Sequence, residues 1–176
     1  MEDSAIILDF LAYGYPLEKK MLPLAQAIGE LKFTLLQLVP RRGVKLEIGE
    51  KVYIGEDKRE KIQYILGRCP REKLTETALG QLKEFVSSKM GTQEERIVKF
   101  FNEAQPINTR LHQFELLPGF GKKHTAAIIA ARDEKLFESV EDIKTRVTSM
   151  PDPIRGVEKR IIEELTSIQR YNLFIN

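Results

Sequence analysis

Hydrophobic and polar positions follow two rhythms along the chain. The first part reads as β-rich. "SAIILDFLAYG" is apolar and bounded by Gly14 and Pro16, and "ELKFTLLQLVP" runs from Glu30 to Pro40. After the turn-like Arg41, Arg42 and Gly43, the residues Val44, Leu46 and Ile48 alternate with Lys45 and Glu47, the period-2 sign of a half-buried strand. Ile62, Tyr64 and Leu66 alternate in the same way. Short strands at regular spacing, separated by Gly and Pro, suggest a small barrel or sandwich, and a five-stranded barrel of the OB type is expected.

From Thr75 the period becomes helical. Leu79, Leu82, Phe85 and Val86 share one face, and Lys89, Gly91 and Thr92 interrupt it. Thr92 with Glu95 forms a capping-box pattern before a second helix carrying Ile97, Phe100, Phe101 and Ala104, which ends near Pro106. Ser139 with Asp142 repeats the pattern further on. In the tail, Ile154, Val157, Ile161, Leu165 and Ile168 make an amphipathic stripe. Strands followed by helices predict an α+β chain, with a barrel domain over 1–74 and a helical domain over 75–176.

Composition narrows the function classes. The chain has 176 residues, 42% hydrophobic and 31% charged, with a net charge of only +2. That is globular, with no global field to draw in a polyanion, so any basic site must be local. Residues 34–73 hold ten Lys and Arg against six Asp and Glu, whereas residues 113–176 hold ten of each. The single cysteine, Cys69, rules out an internal disulfide and suits a small apolar filler. The acidic start "MEDSAIILDF" lacks the basic region of a signal peptide, and no run is long enough to span a bilayer. A soluble cytoplasmic protein is expected. Two histidines and one cysteine cannot make a zinc cluster, no nucleophile elbow is present, and the aspartates lack metal-ligand spacing. The expectation is a non-enzyme without cofactor or metal.

One stretch carries chemistry: "ELLPGFGKKHTAAIIAAR", Glu115 to Arg132. The first amides of a helix have no partners, and the helix dipole makes that end partly positive. An anion answers both. Glycine permits positive φ in the turn before the helix and lets phosphate oxygens approach the amides. Lys122 and Lys123 in the first turn sit slightly unfavourably against the dipole, a cost that an anionic partner relieves. The stretch is not a P-loop, because no Gly-Lys-Ser or Gly-Lys-Thr stands at the required spacing, nor a dinucleotide fingerprint, because His124 stands where the third glycine belongs.

Leu117-Pro118-Gly119-Phe120-Gly121, followed by Lys122, Lys123 and an Ala/Ile helix, resembles the helix-hairpin-helix motif of DNA- and RNA-binding proteins. Thr125, where that family often has alanine, is a small departure. The resemblance implies that backbone amides at Gly119, Phe120 and Gly121, with Lys122 and Lys123, bind consecutive phosphates without reading sequence. This first hairpin covers about residues 111–132. A degenerate second hairpin at about 148–166 keeps Gly156, Lys159 and Arg160 but replaces the glycine turn with "PDPIRG", so a pseudo-repeat stands beside phosphate binding as its role. Paired hairpins of this kind pack as a five-helix unit. The whole chain also resembles a family of uncharacterised archaeal proteins described as nucleic-acid-binding, in which a β-barrel of the OB type precedes a helix-hairpin-helix region. "FLAYG", "FFNEAQPINTRLHQFELLPGFGKK" and "KRIIEEL" carry that match. It implies an RNA-related role, RNA ahead of DNA, with a protein partner in translation or RNA processing.

The resulting expectation is a sequence-independent nucleic-acid-binding protein without catalysis. Arg41 and Arg42 in a predicted hairpin loop are candidate contacts, or solvated loop charges. Tyr53 and Tyr64 either stack on bases, or pack in the barrel core or sit singly on its surface. A protein-interaction adaptor is the alternative, and a nuclease would need carboxylates brought together by the fold.

Overall fold

Apolar runs in the first half build five strands: β1 (Ser4–Leu11), β2 (Leu24–Gly29), β3 (Leu35–Pro40), β4 (Lys51–Tyr53) and β5 (Ile62–Arg68). They form one curled antiparallel sheet of order β4-β1-β2-β3-β5. Five α-helices come after them: α1 (Glu76–Met90), α2 (Glu94–Glu103), α3 (Lys122–Glu134), α4 (Val140–Arg146) and α5 (Pro153–Thr166). The computed structural model describes all of residues 1–176. They divide into a unit of Met1–Glu84 with Leu165–Ser167 and Ile175–Asn176, and a unit of Phe85–Glu164 with Ile168–Phe174.

The core of the first unit gathers Ala5, Ile7, Ala27, Leu38 and Ile62. At its centre lies β2, buried at all six positions. Gln26 is fully buried there, and its amide is satisfied: it donates to the Lys73 carbonyl at 2.6 Å and accepts from the Thr75 amide at 3.0 Å. Thr75 in turn accepts from the Ala78 amide at 3.0 Å and donates to Asp9 at 2.6 Å. The sheet thereby fixes where α1 begins. The second unit is built around aromatic rings. Phe101 meets Phe100, Phe114 and Phe120 with ring centroids 5.7, 5.3 and 6.3 Å apart.

Several expectations from the sequence are corrected. The sheet does not close into a barrel, because β4 and β5 are its edges and do not pair with each other. Val44–Ile48 is not a strand. Gly43 and Gly49 have φ of +78° and +83°, so the segment turns at both ends, and the strand comes later, at Lys51. The alternation still buries Leu46 in the core while leaving Ile48 exposed. In β5 the alternation breaks. Ile62 pairs with Pro40 but Tyr64 with Val39, so Gln63 is an extra residue, and a second irregularity lies between the pairs of Ile65 and Gly67. Each bulge inverts the facing of the residues beyond it. Ile62 therefore points inward while Tyr64 and Leu66 are exposed. Thr92 and Glu95 form no capping box. Gln93 precedes α2, and Thr92 instead donates its hydroxyl to the Lys89 carbonyl at 2.9 Å, serving the end of α1. Ile168 lies beyond α5 and is 91% exposed.

Candidate nucleic-acid interface

The glycine stretch is assembled from the residue upward. After α2, a single 3-10 turn (Gln113–Leu116) leads into Leu117–Phe120. The Phe120 amide donates back to the Leu117 carbonyl at 3.0 Å, with Pro118 second and Gly119 third at φ +85°. Those are the requirements of a type II turn, which needs positive φ at its third residue. Gly121 then returns to extended backbone at φ −115° and precedes α3. The two glycines thus do different work. Gly119 is needed for its backbone conformation. A Cβ on Gly121 would meet nothing within 4 Å, so no packing inside the chain requires a glycine there.

The first intrahelical bond of α3 runs from the Thr125 amide to the Gly121 carbonyl at 3.0 Å. The Gly121 amide is already engaged, donating to His124 Nδ1 at 3.0 Å. The amides of Lys122, Lys123 and His124 therefore remain without intrahelical acceptors, directed off the helix end. His124 acts as a capping acceptor where Glu is usual, a role that the sequence pattern did not suggest. Lys122 is tied back: its ammonium donates to the Arg110 carbonyl at 2.8 Å and pairs with Glu115 at 3.1 Å. The His112 amide and Lys122 hold the Glu115 carboxyl below the usual range. Lys123 is exposed. The Phe120 side chain is 6% exposed, so at this residue the backbone alone can face a ligand.

The tail residues are placed differently. Gly156 lies inside α5, where a Cβ would stand 2.7 Å from the Phe120 ring. It is small because Phe120 packs on it. Arg160 is 5% exposed and bonds Glu164 at 3.0 Å, with further donation to the Leu116 and Tyr171 carbonyls. Lys159 is on the surface. At the start of α5, Asp152 accepts from the Ile154 and Arg155 amides at 2.9 and 3.3 Å, and Pro153 has no amide to offer. An internal carboxylate thus occupies the start of α5, whereas the start of α3 has amides without acceptors. The "DP" pair signals that cap in the sequence.

In the first unit, the loops before β4 and before β5 are stitched together. The Arg41 amide donates to the Lys61 carbonyl at 2.8 Å, Arg41 Nε to the Arg59 carbonyl at 2.8 Å, and Arg59 Nε to the Gly55 carbonyl at 2.8 Å. Exposed Arg42 and Lys58 lie on the same two loops, while Lys61 is paired with Glu50. Tyr53 folds over Gly55, its hydroxyl accepting from the Asp57 amide at 3.2 Å. Tyr64 is open on β5. No group of three or more His, Cys, Asp and Glu side chains is arranged to hold a metal ion. No helix is long and apolar enough to cross a membrane.

The class so defined is a mixed α+β protein, a curled antiparallel sheet with five helices, bearing a glycine turn at a helix start. The chain belongs to the family described as "Protein of unknown function (DUF655)", whose model matches residues 1–176. Similar proteins come from archaea. "Uncharacterized protein MJ0038" of Methanocaldococcus jannaschii is 43% identical over 176 residues, covering 99% of this chain and 80% of that protein. The crystal structure of Af1531 from Archaeoglobus fulgidus, also of DUF655, matches with a TM-score of 0.83 at 40% identity, covering 99% of this chain and all of that one.

Proposed function

We propose that this protein binds nucleic acid independently of sequence and without catalysis, gripping backbone phosphates at Leu117–Lys123 as a helix-hairpin-helix does. The curled sheet is read as an OB-like half-barrel whose stitched loops, with Arg41 and Arg42, add a basic surface. RNA stands ahead of DNA on the family resemblance. The observation that carries the reading is the pair of glycines. Gly119 turns the chain at φ +85°, and Gly121 leaves open space beside three amides that lack acceptors. Peptide amides at a helix start are suited to phosphate, and Lys123 supplies a nearby charge. Phosphate binding is assigned to the first hairpin alone, since Asp152 caps the second.

The test is fluorescence anisotropy with labelled single-stranded RNA, hairpin RNA and duplex DNA across a salt series. Gly121→Val fills the open space and meets no protein atom at its Cβ, so it should leave the fold intact. Affinity should fall at least about tenfold, alike for every sequence. Lys123→Gln should lower the log–log salt slope by about one. Unchanged affinity in folded Gly121→Val would remove the hairpin from the interface.

A further inference from the structure

The helical unit also carries a cleft of about 650 Å³ between one face of α2 and the loop joining α3 to α4. Its lining is acidic and partly apolar. Glu94, Glu95 and Glu103 come from α2 and Glu138 from the loop; Val98 and the 60% exposed Leu136 supply the apolar part. Four carboxylates against one ammonium, that of Lys99, leave the lining at −3, in a chain whose net charge is +2.

The cleft is preformed. Asn102 holds the backbone of Phe137 from both sides, accepting its N–H at 2.8 Å and donating to its carbonyl at 2.9 Å. Glu94 accepts the Val140 amide at 2.8 Å, and Ser139 caps α4 through the Asp142 amide at 2.9 Å. The loop wall is thus fixed from Phe137 to Val140, and Phe137 is buried beneath it. On the open side, Glu138 pairs with exposed Lys135 at 3.0 Å, whereas Glu95 and Glu103 make no ion pair. A rigid groove with unneutralised carboxylates repels a phosphate backbone. It favours a cation whose stem lies along apolar surface, as lysine and arginine stems do. Its volume lies in the range of sites that take a ligand or a few residues of a chain.

We propose that this cleft docks an extended lysine- and arginine-rich segment of a partner protein. The cations meet Glu95 and Glu103, and an apolar side chain between them rests on Val98 and Leu136. The apolar contact distinguishes such a segment from a simple polyamine, which has only methylenes to offer. None of the groove residues belongs to the phosphate grip, so the proposal stands or falls separately from it.

The test uses the full chain and a labelled peptide of repeated Lys-Leu-Arg-Ser, monitored by anisotropy, with repeated Glu-Leu-Asp-Ser as the control. The basic peptide should bind, more weakly as salt rises, and the acidic one should not. Because Glu95, Glu103 and Leu136 are exposed, E95K/E103K and Leu136→Ser should stay folded, with only a small fall in melting temperature where Lys replaces Glu95 in the first turn of α2. Each should weaken the basic peptide at least about tenfold, while Gly121→Val should leave it untouched. Equal affinity in E95K/E103K would overturn the proposal. So would an unchanged affinity in Leu136→Ser together with full displacement by spermidine, which would mark a site for small polycations. RNA binding that survives E95K/E103K, or peptide binding that survives loss of RNA binding, separates this proposal from the phosphate reading.

Discussion

Glycine does three separate jobs within the helical unit, and only one of them faces outward. Gly119 supplies a backbone angle, Gly121 supplies empty space at a helix start, and Gly156 makes room for the Phe120 ring. The sequence shows three glycines near basic pairs and cannot tell these roles apart, because the difference is made by the ring of Phe120, 36 residues away along the chain from Gly156. The distinction is measurable. Gly156→Val forces side-chain atoms into Phe120, which is held among Phe101 and its neighbours, and should destabilise the protein by about 1–3 kcal/mol. Urea unfolding reads the loss, and anisotropy of the folded variant should show unchanged nucleic-acid affinity. A drop in affinity with no loss of stability would instead place Gly156 in the interface.

Among the elements, the 3-10 turn that leads into the glycine stretch should respond to pH. His112 caps the 3-10 turn by accepting the Phe114 amide at Nδ1, at 3.1 Å, while its ring stacks on Phe114 with centroids 4.8 Å apart. Accepting at Nδ1 puts the proton on Nε2, which is buried without a partner. Burial, reinforced by the Arg132 guanidinium, holds the imidazole below the usual histidine range. Above the unfolded value of about 6.5, both states are neutral and the turn is at full stability; below it the unfolded chain takes up a proton first. Stability should fall as pH drops from about 6.5 toward the depressed folded value, by up to about 1.4 kcal/mol per pH unit. His112→Gln should lose less than wild type over that window in urea titrations, and equal losses would discard His112 as the cause. The sequence, in which His112 belongs to no recognisable pattern, discloses none of this. Elements with strong periodicity were legible. The faces of α1 and α2 bury Leu82, Val86, Ile97 and Phe101 as their spacing predicts, and Ser139 caps α4. The failures were local signals overruled by pairing at a distance. The β5 bulges turned Tyr64 outward, Thr92 was taken by the end of α1, and β2 gave no alternation because both its faces are covered.

Across the whole molecule, the chain does not divide at one point. Each unit contains residues from the C-terminal end: Ile168–Phe174 belong to the helical unit, and Ile175–Asn176 to the unit of the sheet. Within the helical unit, the end of the chain is held by a buried charge pair rather than by apolar packing alone. The Glu164 carboxylate is fully buried and accepts the Leu173 and Phe174 amides at 2.6 and 2.9 Å as well as Arg160. Arg160 reaches the Tyr171 carbonyl, Arg96 the Phe174 carbonyl at 3.1 Å, and the Phe174 ring lies 5.0 Å from Phe100. Stopping the chain after Ser167 removes the Tyr171, Leu173 and Phe174 partners together, so the buried pair loses two amide donors and a carbonyl acceptor at once. Hydrogen bonds to charged groups contribute about 1.5–3 kcal/mol each, so the truncation should cost at least about 3 kcal/mol. Glu164→Gln, which keeps the shape and loses the charge, should show a smaller loss in the same direction. Differential scanning calorimetry of the three proteins gives the answer. A truncated chain that melts with the full-length protein would mean that residues 168–176 are carried by the fold rather than part of it, and that the buried pair serves α5 alone.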